Sequence, residues 1–342
     1  MGFRGNQRSL MVSNKSLGVS QARWRGWGVK VTPQGKLVPV WRACDPPADW
    51  VPTAPATCST PISRATGSAP TPAPHAIRGV LPSPRGPGLD GPSGFTDQGH
   101  PGDPRGVPLP EAVKRLKHPK PPAVWFPYKK VGQSATDIVL DDSHGRFGPF
   151  DGQLFIGEFT LASISRCSWK RSRRVPGSCF PFREGLASAV IRLSQGHDGS
   201  LFAGLSNRGW SSLGTASYGL QRLVWTGKTP FEMKEIRARP DGFELVMTRP
   251  VDPESAQRLS SYTVNSYTYT YHSTYGSDEI LKRDLAIRSI TVSEDGLRIR
   301  LRIAGLREMY VHELHAPGLR SRDGQPLLHP SGYYTLNRIP AR

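Results

Sequence analysis

Apolar and polar positions in this chain alternate over short runs, and frequent turn residues cut the runs before any helical period develops. In the last third, Phe243, Leu245 and Met247 alternate with polar neighbours, as do Tyr267, Tyr269 and Tyr271. Leu297, Ile299, Leu301 and Ile303 alternate in the same way with Arg298, Arg300 and Arg302. A period of two with one apolar face predicts half-buried strands. Pro240-Asp241-Gly242, Glu294-Asp295-Gly296 and Arg322-Asp323-Gly324 supply turns between runs of this region. The apolar phase slips between Val264 and Tyr267 and between Ile287 and Ile290, which predicts a β-bulge or a strand switch at each place.

The middle of the chain carries a repeat. Asp151-Gly152-Gln153-Leu154-Phe155-Ile156-Gly157 returns 47 positions later as Asp198-Gly199-Ser200-Leu201-Phe202-Ala203-Gly204. Each copy has a β-like run before it (Thr136 to Leu140; Ser188 to Leu193) and one after it (Ala162 to Arg166; Leu220 to Trp225). The Asp-Gly pair suits a tight hairpin, because glycine takes the positive φ such a turn needs. Strand, turn, strand and strand at roughly 40–50 residues is the spacing of propeller blades. A fainter copy lies at Val29 to Val38. The expected fold is therefore all-β: a partial β-propeller of its last blades over 121–228, then an immunoglobulin-like β-sandwich over 229–342. A blade-like hairpin remnant is expected at 23–40.

Residues 1–22 are polar and without period, and 16 of the 33 prolines fall between 41 and 110. This composition supplies neither a ladder nor a buried face, so 1–22 and 41–120 are expected to be disordered. A short helix is expected at Glu111 to Leu116 behind Pro110. Charge adds little to this picture. The 45 Lys and Arg against 27 Asp and Glu give +18, yet positions up to 120 already hold sixteen basic and six acidic residues. The excess is concentrated where folding is least expected, so nucleic acid ranks last among partners despite the basic run at 170–174. Cys44, Cys58, Cys167 and Cys179 lack Cys-x-x-Cys spacing and neighbouring histidines, which argues against zinc. Cys167 and Cys179 are compatible with a disulfide or with two free thiols. Met1 to Leu17 lacks the apolar region of a signal peptide, and no apolar run approaches the ~20 residues of a transmembrane helix.

Several stretches resemble a known family. Trp125-Phe126-Pro127-Tyr128, Gly132 to Val139, Phe147 to Phe150 and Gly152 to Gly157 look like a blade of the soluble sugar (glucose/sorbosone) dehydrogenase-like propellers. Gly196 to Phe202 and Gly219 to Trp225 look like the final blade, and the downstream strands resemble the region that follows it in large secreted or membrane-bound bacterial proteins of this group. The resemblance implies pyrroloquinoline quinone with calcium in a central funnel, a histidine base, a periplasmic or secreted location, and a redox partner such as a cytochrome c in the full-length proteins. Two segments depart from it. Residues 41–110 and 167–178 have the composition of GC-rich DNA read out of frame, so a truncated, frame-disturbed and inactive remnant is expected. No residue matches the catalytic histidine by motif.

Candidate chemistry is correspondingly thin. Asn207, Arg208 and Trp210 in the loop after a core-like strand offer an amide, a guanidinium and an indole for binding, and Gln133, Ser134 and Arg183 are weaker candidates of the same kind. His197 precedes a turn, where histidines are usually exposed and idle. Tyr262, Tyr267, Tyr269, Tyr271 and Tyr275 read more readily as cross-strand packing than as a stacking surface for sugars or bases. His312, Glu313 and His315 form no strong metal pattern. The alternatives carried forward are a carbohydrate- or protein-binding β module and a basic nucleic-acid-binding protein.

Overall fold

The computed structural model describes residues 34–36, 106–115, 124–168, 177–207, 211–271 and 277–341, together with five short strands within and before this range. Near the start, β1 (Gly2–Arg4), β2 (Gln7–Met11), β3 (Trp27–Val31) and β4 (Leu37–Arg42) form an antiparallel sheet in that order. Two of these strands fall within the stretch 1–22. Its other residues, and most of 41–120, lie outside the described residues. β5 (Ala76–Ile77) pairs with β6 (Val124–Trp125), and α1 (Leu109–Arg115) occupies the position expected for a short helix.

The main body begins with β7 (Ala135–Leu140), β8 (Leu154–Glu158), β9 (Ser163–Ser168) and β10 (Ser178–Arg183), an antiparallel meander. A second meander follows in β11 (Val190–Gln195), β12 (Leu201–Ser206) and β13 (Tyr218–Leu223). The rest comprises β14 (Met233–Arg239), β15 (Gly242–Met247), α2 (Pro253–Gln257), β16 (Thr263–Thr268) and β17 (Ile280–Asp284). The last strands are β18 (Ile287–Val292), β19 (Arg298–Ile303), β20 (Tyr310–His315) and β21 (Ser331–Leu336). The protein is predominantly β, its sheets are antiparallel, and none closes into a barrel.

One eight-stranded sheet, in the order β17-β16-β20-β21-β10-β9-β8-β7, is the spine of the molecule. It crosses the division expected near residue 228, because β10 pairs with β21 through Ser178↔Tyr334 and Cys179↔Tyr333. One face is covered by α1 and the 124–131 segment over Trp125, Ile138, Ile156, Tyr267, Tyr269 and Tyr333. The opposite face has two coverings. The β14-β15-β19-β18 sheet encloses Phe243, Leu245, Ile299 and Leu301 against Val264, Leu314 and Tyr334. The β11-β12-β13 meander encloses Leu193, Leu201 and Leu205 against Val139, Phe155 and Phe182. Each such side chain contributes roughly 1.5–3 kcal/mol by leaving water. Burial on both faces explains why β8, β9 and β21 show almost unbroken burial rather than alternation.

Local chemistry sets the turns. Gly152 and Gly199 both take positive φ, 78° and 88°. Beside Gly199, Asp198 accepts hydrogen bonds from the Ser200 amide at 3.0 Å and its hydroxyl at 2.7 Å. The two copies of the heptapeptide therefore occupy equivalent places, each leading from a turn into the central strand of a meander. Gly242 ends the β14–β15 hairpin at φ 155°, where a Cβ would lie 1.9 Å from the Leu301 carbonyl. The slips of apolar phase coincide with register shifts between Ser266 and Thr268 and between Ile287 and Ser289.

At the junction of the two coverings sits Arg166, fully buried. Its guanidinium lies between the rings of Phe150 and Phe180, 4.3 and 4.2 Å from their centroids. It donates to the carbonyls of Met233 (2.5 Å) and Lys234 (3.2 Å) and to Gln153 Oε1 (3.1 Å), and Glu232 lies 3.9 Å away. This one side chain ties the segment entering β14 to the middle of the spine.

Candidate functional site

A cleft of about 480 Å³ is lined by the end of β10 and the end of β13. Phe147, Phe182, Arg183, Glu184, Gln221, Trp225 and Lys228 are among the residues that line it. The residues arrive there for local reasons. Arg183 ends β10 and points its guanidinium over the Phe182 ring at 4.4 Å, donating to the Phe182 carbonyl at 2.5 Å. Burial lowers its pKa from the usual arginine value, and Glu232 partly opposes that. Trp225 follows β13 and lies on Gly148, where an added Cβ would meet the indole at 3.4 Å. Its Nε1 donates to the Lys228 carbonyl at 3.2 Å. Gln221 Oε1 accepts from the Ala187 amide at 2.9 Å, which fixes the amide across the opening.

Arg183 lines this cleft, whereas Gln133, Ser134 and Asn207 are not among its lining residues. The Gln133 amide donates to Glu158 Oε1 at 2.8 Å and the Ser134 amide donates to the same oxygen. Glu158 Oε2 takes the Leu161 amide at 2.6 Å, so this buried carboxylate organises the turns around it. Burial raises the Glu158 pKa despite those amides. The Asn207 amide donates to the Ser217 carbonyl at 3.1 Å at the base of a loop. Arg208 and Trp210, in that loop, lie outside the described residues, as do Tyr275 and the basic run 170–174. His197 is exposed beside its turn.

The tyrosines are core residues. Tyr262, Tyr267, Tyr269 and Tyr271 are buried, Tyr262 donates to the Ala256 carbonyl at 2.7 Å, and Tyr269 packs 5.8 Å from Trp125. Lys130 closes over Tyr267 at 4.9 Å and bridges Glu279 (2.7 Å) and Glu313 (2.6 Å). Burial opposes the lysine charge, but the bonds to Glu279 and Glu313 prevail and raise its pKa. His312 is buried, and burial drives its pKa down to about 3. Among the described residues no group of three or more His, Cys, Asp or Glu side chains converges as a metal site. Nor is any helix among them long and apolar enough to cross a membrane. Sequence reasoning missed Trp225, Gln221 and Lys228. The exposed indole at the end of a strand was the available signal, but the cleft forms only when β13 is set against β10.

No family model matches the sequence. No curated protein matches it either. Among solved structures, the surface layer protein SbsC, domains 1–6, is similar with TM-score 0.23 and 20% identity over 30% of this chain and 13% of that one. The N-terminal part of the bacterial S-layer protein SbsC gives TM-score 0.23 and 19% identity over 31% of this chain and 24% of that one. A likeness so slight assigns neither topology nor activity.

Proposed function

We propose that this chain is a carbohydrate-binding β module, a remnant built on two blades of the sugar dehydrogenase-like propeller type and followed by an immunoglobulin-like sandwich, without dehydrogenase turnover. The observation that carries the binding reading is the cleft lined in common by Arg183, Gln221 and Trp225 together with Phe147 and Phe182. A pyranose offers an apolar face to an indole and hydroxyls to planar donors and acceptors, and Arg183, Gln221 and Glu184 supply those groups.

The propeller origin is supported by the stacking of the two meanders. The heptapeptide copies stand at equivalent positions, and β7 and β11, their equivalent first strands, lie beside each other. Thr136 Oγ1 donates to the Val190 carbonyl at 2.8 Å, and the Leu193 amide donates to Asp137 Oδ2 at 3.0 Å. Gly157 lies under Val190, where a Cβ would come within 2.6 Å of Cγ1. At its counterpart Gly204 a Cβ would meet no described atom nearer than 3.8 Å. The proposed function does not involve a calcium-bound quinone.

A glycan array followed by calorimetric titration tests the proposal. A saccharide should bind, and Trp225→Ala and Arg183→Ala should each weaken it at least tenfold while leaving far-UV circular dichroism unchanged. Silence on the array, or binding indifferent to both substitutions, defeats the binding reading. Sugar-dependent dye reduction after addition of quinone and calcium defeats the claim of no turnover.

A further inference from the structure

We infer that Cys167 and Cys179 are a disulfide-forming pair that locks the β9–β10 hairpin at the centre of the spine. The two residues are direct partners across these antiparallel strands. Such partners hold their Cα atoms about 4.5–5.5 Å apart, inside the ~4.4–6.8 Å range of disulfides, and their side chains project from the same face. Both thiols are fully buried and both belong to the core beneath Trp125 and Tyr333. Cys179 Sγ donates to the Trp125 carbonyl at 3.3 Å. Both are free thiols here.

Burial dictates when the bond forms. A thiolate is the attacking species, and burial raises the Cys167 pKa well above its usual value. The folded dithiol is therefore slow to react, and oxidation belongs to the stage of folding at which the hairpin has closed but the Trp125 segment has not yet covered it. A small disulfide such as oxidised glutathione is a sufficient oxidant. One cysteine thiolate attacks a glutathione sulfur and releases a glutathione thiolate; the second cysteine then attacks the mixed disulfide and releases the other. Two protons and two electrons leave the pair, and one oxidised glutathione becomes two reduced molecules.

Peptide mapping reads the bond directly. The full chain is refolded in a glutathione redox buffer, its remaining thiols are blocked with N-ethylmaleimide, and it is digested with trypsin without reductant. Cys167 then lies in the peptide Cys167 to Lys170 and Cys179 in Val175 to Arg183, while Cys44 and Cys58 share a third peptide, Ala43 to Arg64. The first two should be recovered joined, and the oxidised chain should melt about 5–10 °C above the reduced one, a difference lost in Cys179→Ser. The same map on chain expressed in an oxidising compartment reads the bond without refolding. Recovery of the two peptides unlinked, or of either joined to the 43–64 peptide, overturns the inference. So does a linked form that melts below the reduced one.

Discussion

Replacing Arg166 tests how the two halves of the molecule are joined. Arg166→Met preserves an unbranched side chain between Phe150 and Phe180 but removes the charge. The Met233 carbonyl and Gln153 Oε1 then lose their donor, whereas the Lys234 carbonyl keeps the Gln153 amide at 2.8 Å. Glu232 loses its Arg166 partner and keeps His329, 2.6 Å away, and the longer-range field of Arg183. Removing one member of a buried pair costs about 3–5 kcal/mol, mostly through the partner left behind. The guanidinium itself is held at a cost, since burial pushes its pKa down to about 10. Deleting both charges should therefore relieve most of the damage. Urea unfolding followed by far-UV circular dichroism should place Arg166→Met about 3–5 kcal/mol below wild type and Arg166→Met/Glu232→Met within about 1 kcal/mol of it. A single variant as stable as wild type, or a double variant no better than the single, would refute this account of the joint.

Gly157 and Gly204 share a place in the repeated heptapeptide but not an environment. Gly157→Val should therefore cost several kcal/mol (about 2–4) by driving into Val190, while Gly204→Val should cost about 1 kcal/mol or less; thermal melts yielding equal losses would contradict the stacking. His312 is neutral in the fold, with a pKa of about 3 against 6.5 when unfolded. Its contribution is full above pH 6.5 and is lost as pH falls towards 3, about 2 kcal/mol of it by pH 5, so His312→Phe should flatten the pH dependence of unfolding between 7 and 5. The Asp198 pKa is held down to about 2, chiefly by Ser200 and then by Arg222. Its stabilisation is present above about pH 4 and disappears as pH falls through 2, so Asp198→Asn should lessen the acid sensitivity of the Asp198-Gly199 turn, read by amide exchange.

Side-chain pattern was enough for the alternating strands of the last third, for most of the turns and for the bulges. Alternation in Phe243 to Met247 and Leu297 to Ile303 reads one apolar face directly, and the Asp-Gly pairs require hairpins because their glycines need positive φ. Tertiary structure alone decided which edges meet. Nothing in Ser178 to Arg183 announces that β10 will pair with β21 more than 150 residues later, because side-chain pattern selects a face while any free strand edge presents the same backbone groups. Arg166 shows the same limit: a charged residue in a strand reads as solvated until Phe150, Phe180 and the 232–234 carbonyls close around it. The cleft at Arg183 and Trp225 likewise belongs to no single segment, since residues of the first meander (Phe147, Phe182, Arg183) and of the second (Gln221, Leu223) and the chain after it (Trp225) line it together and share one core.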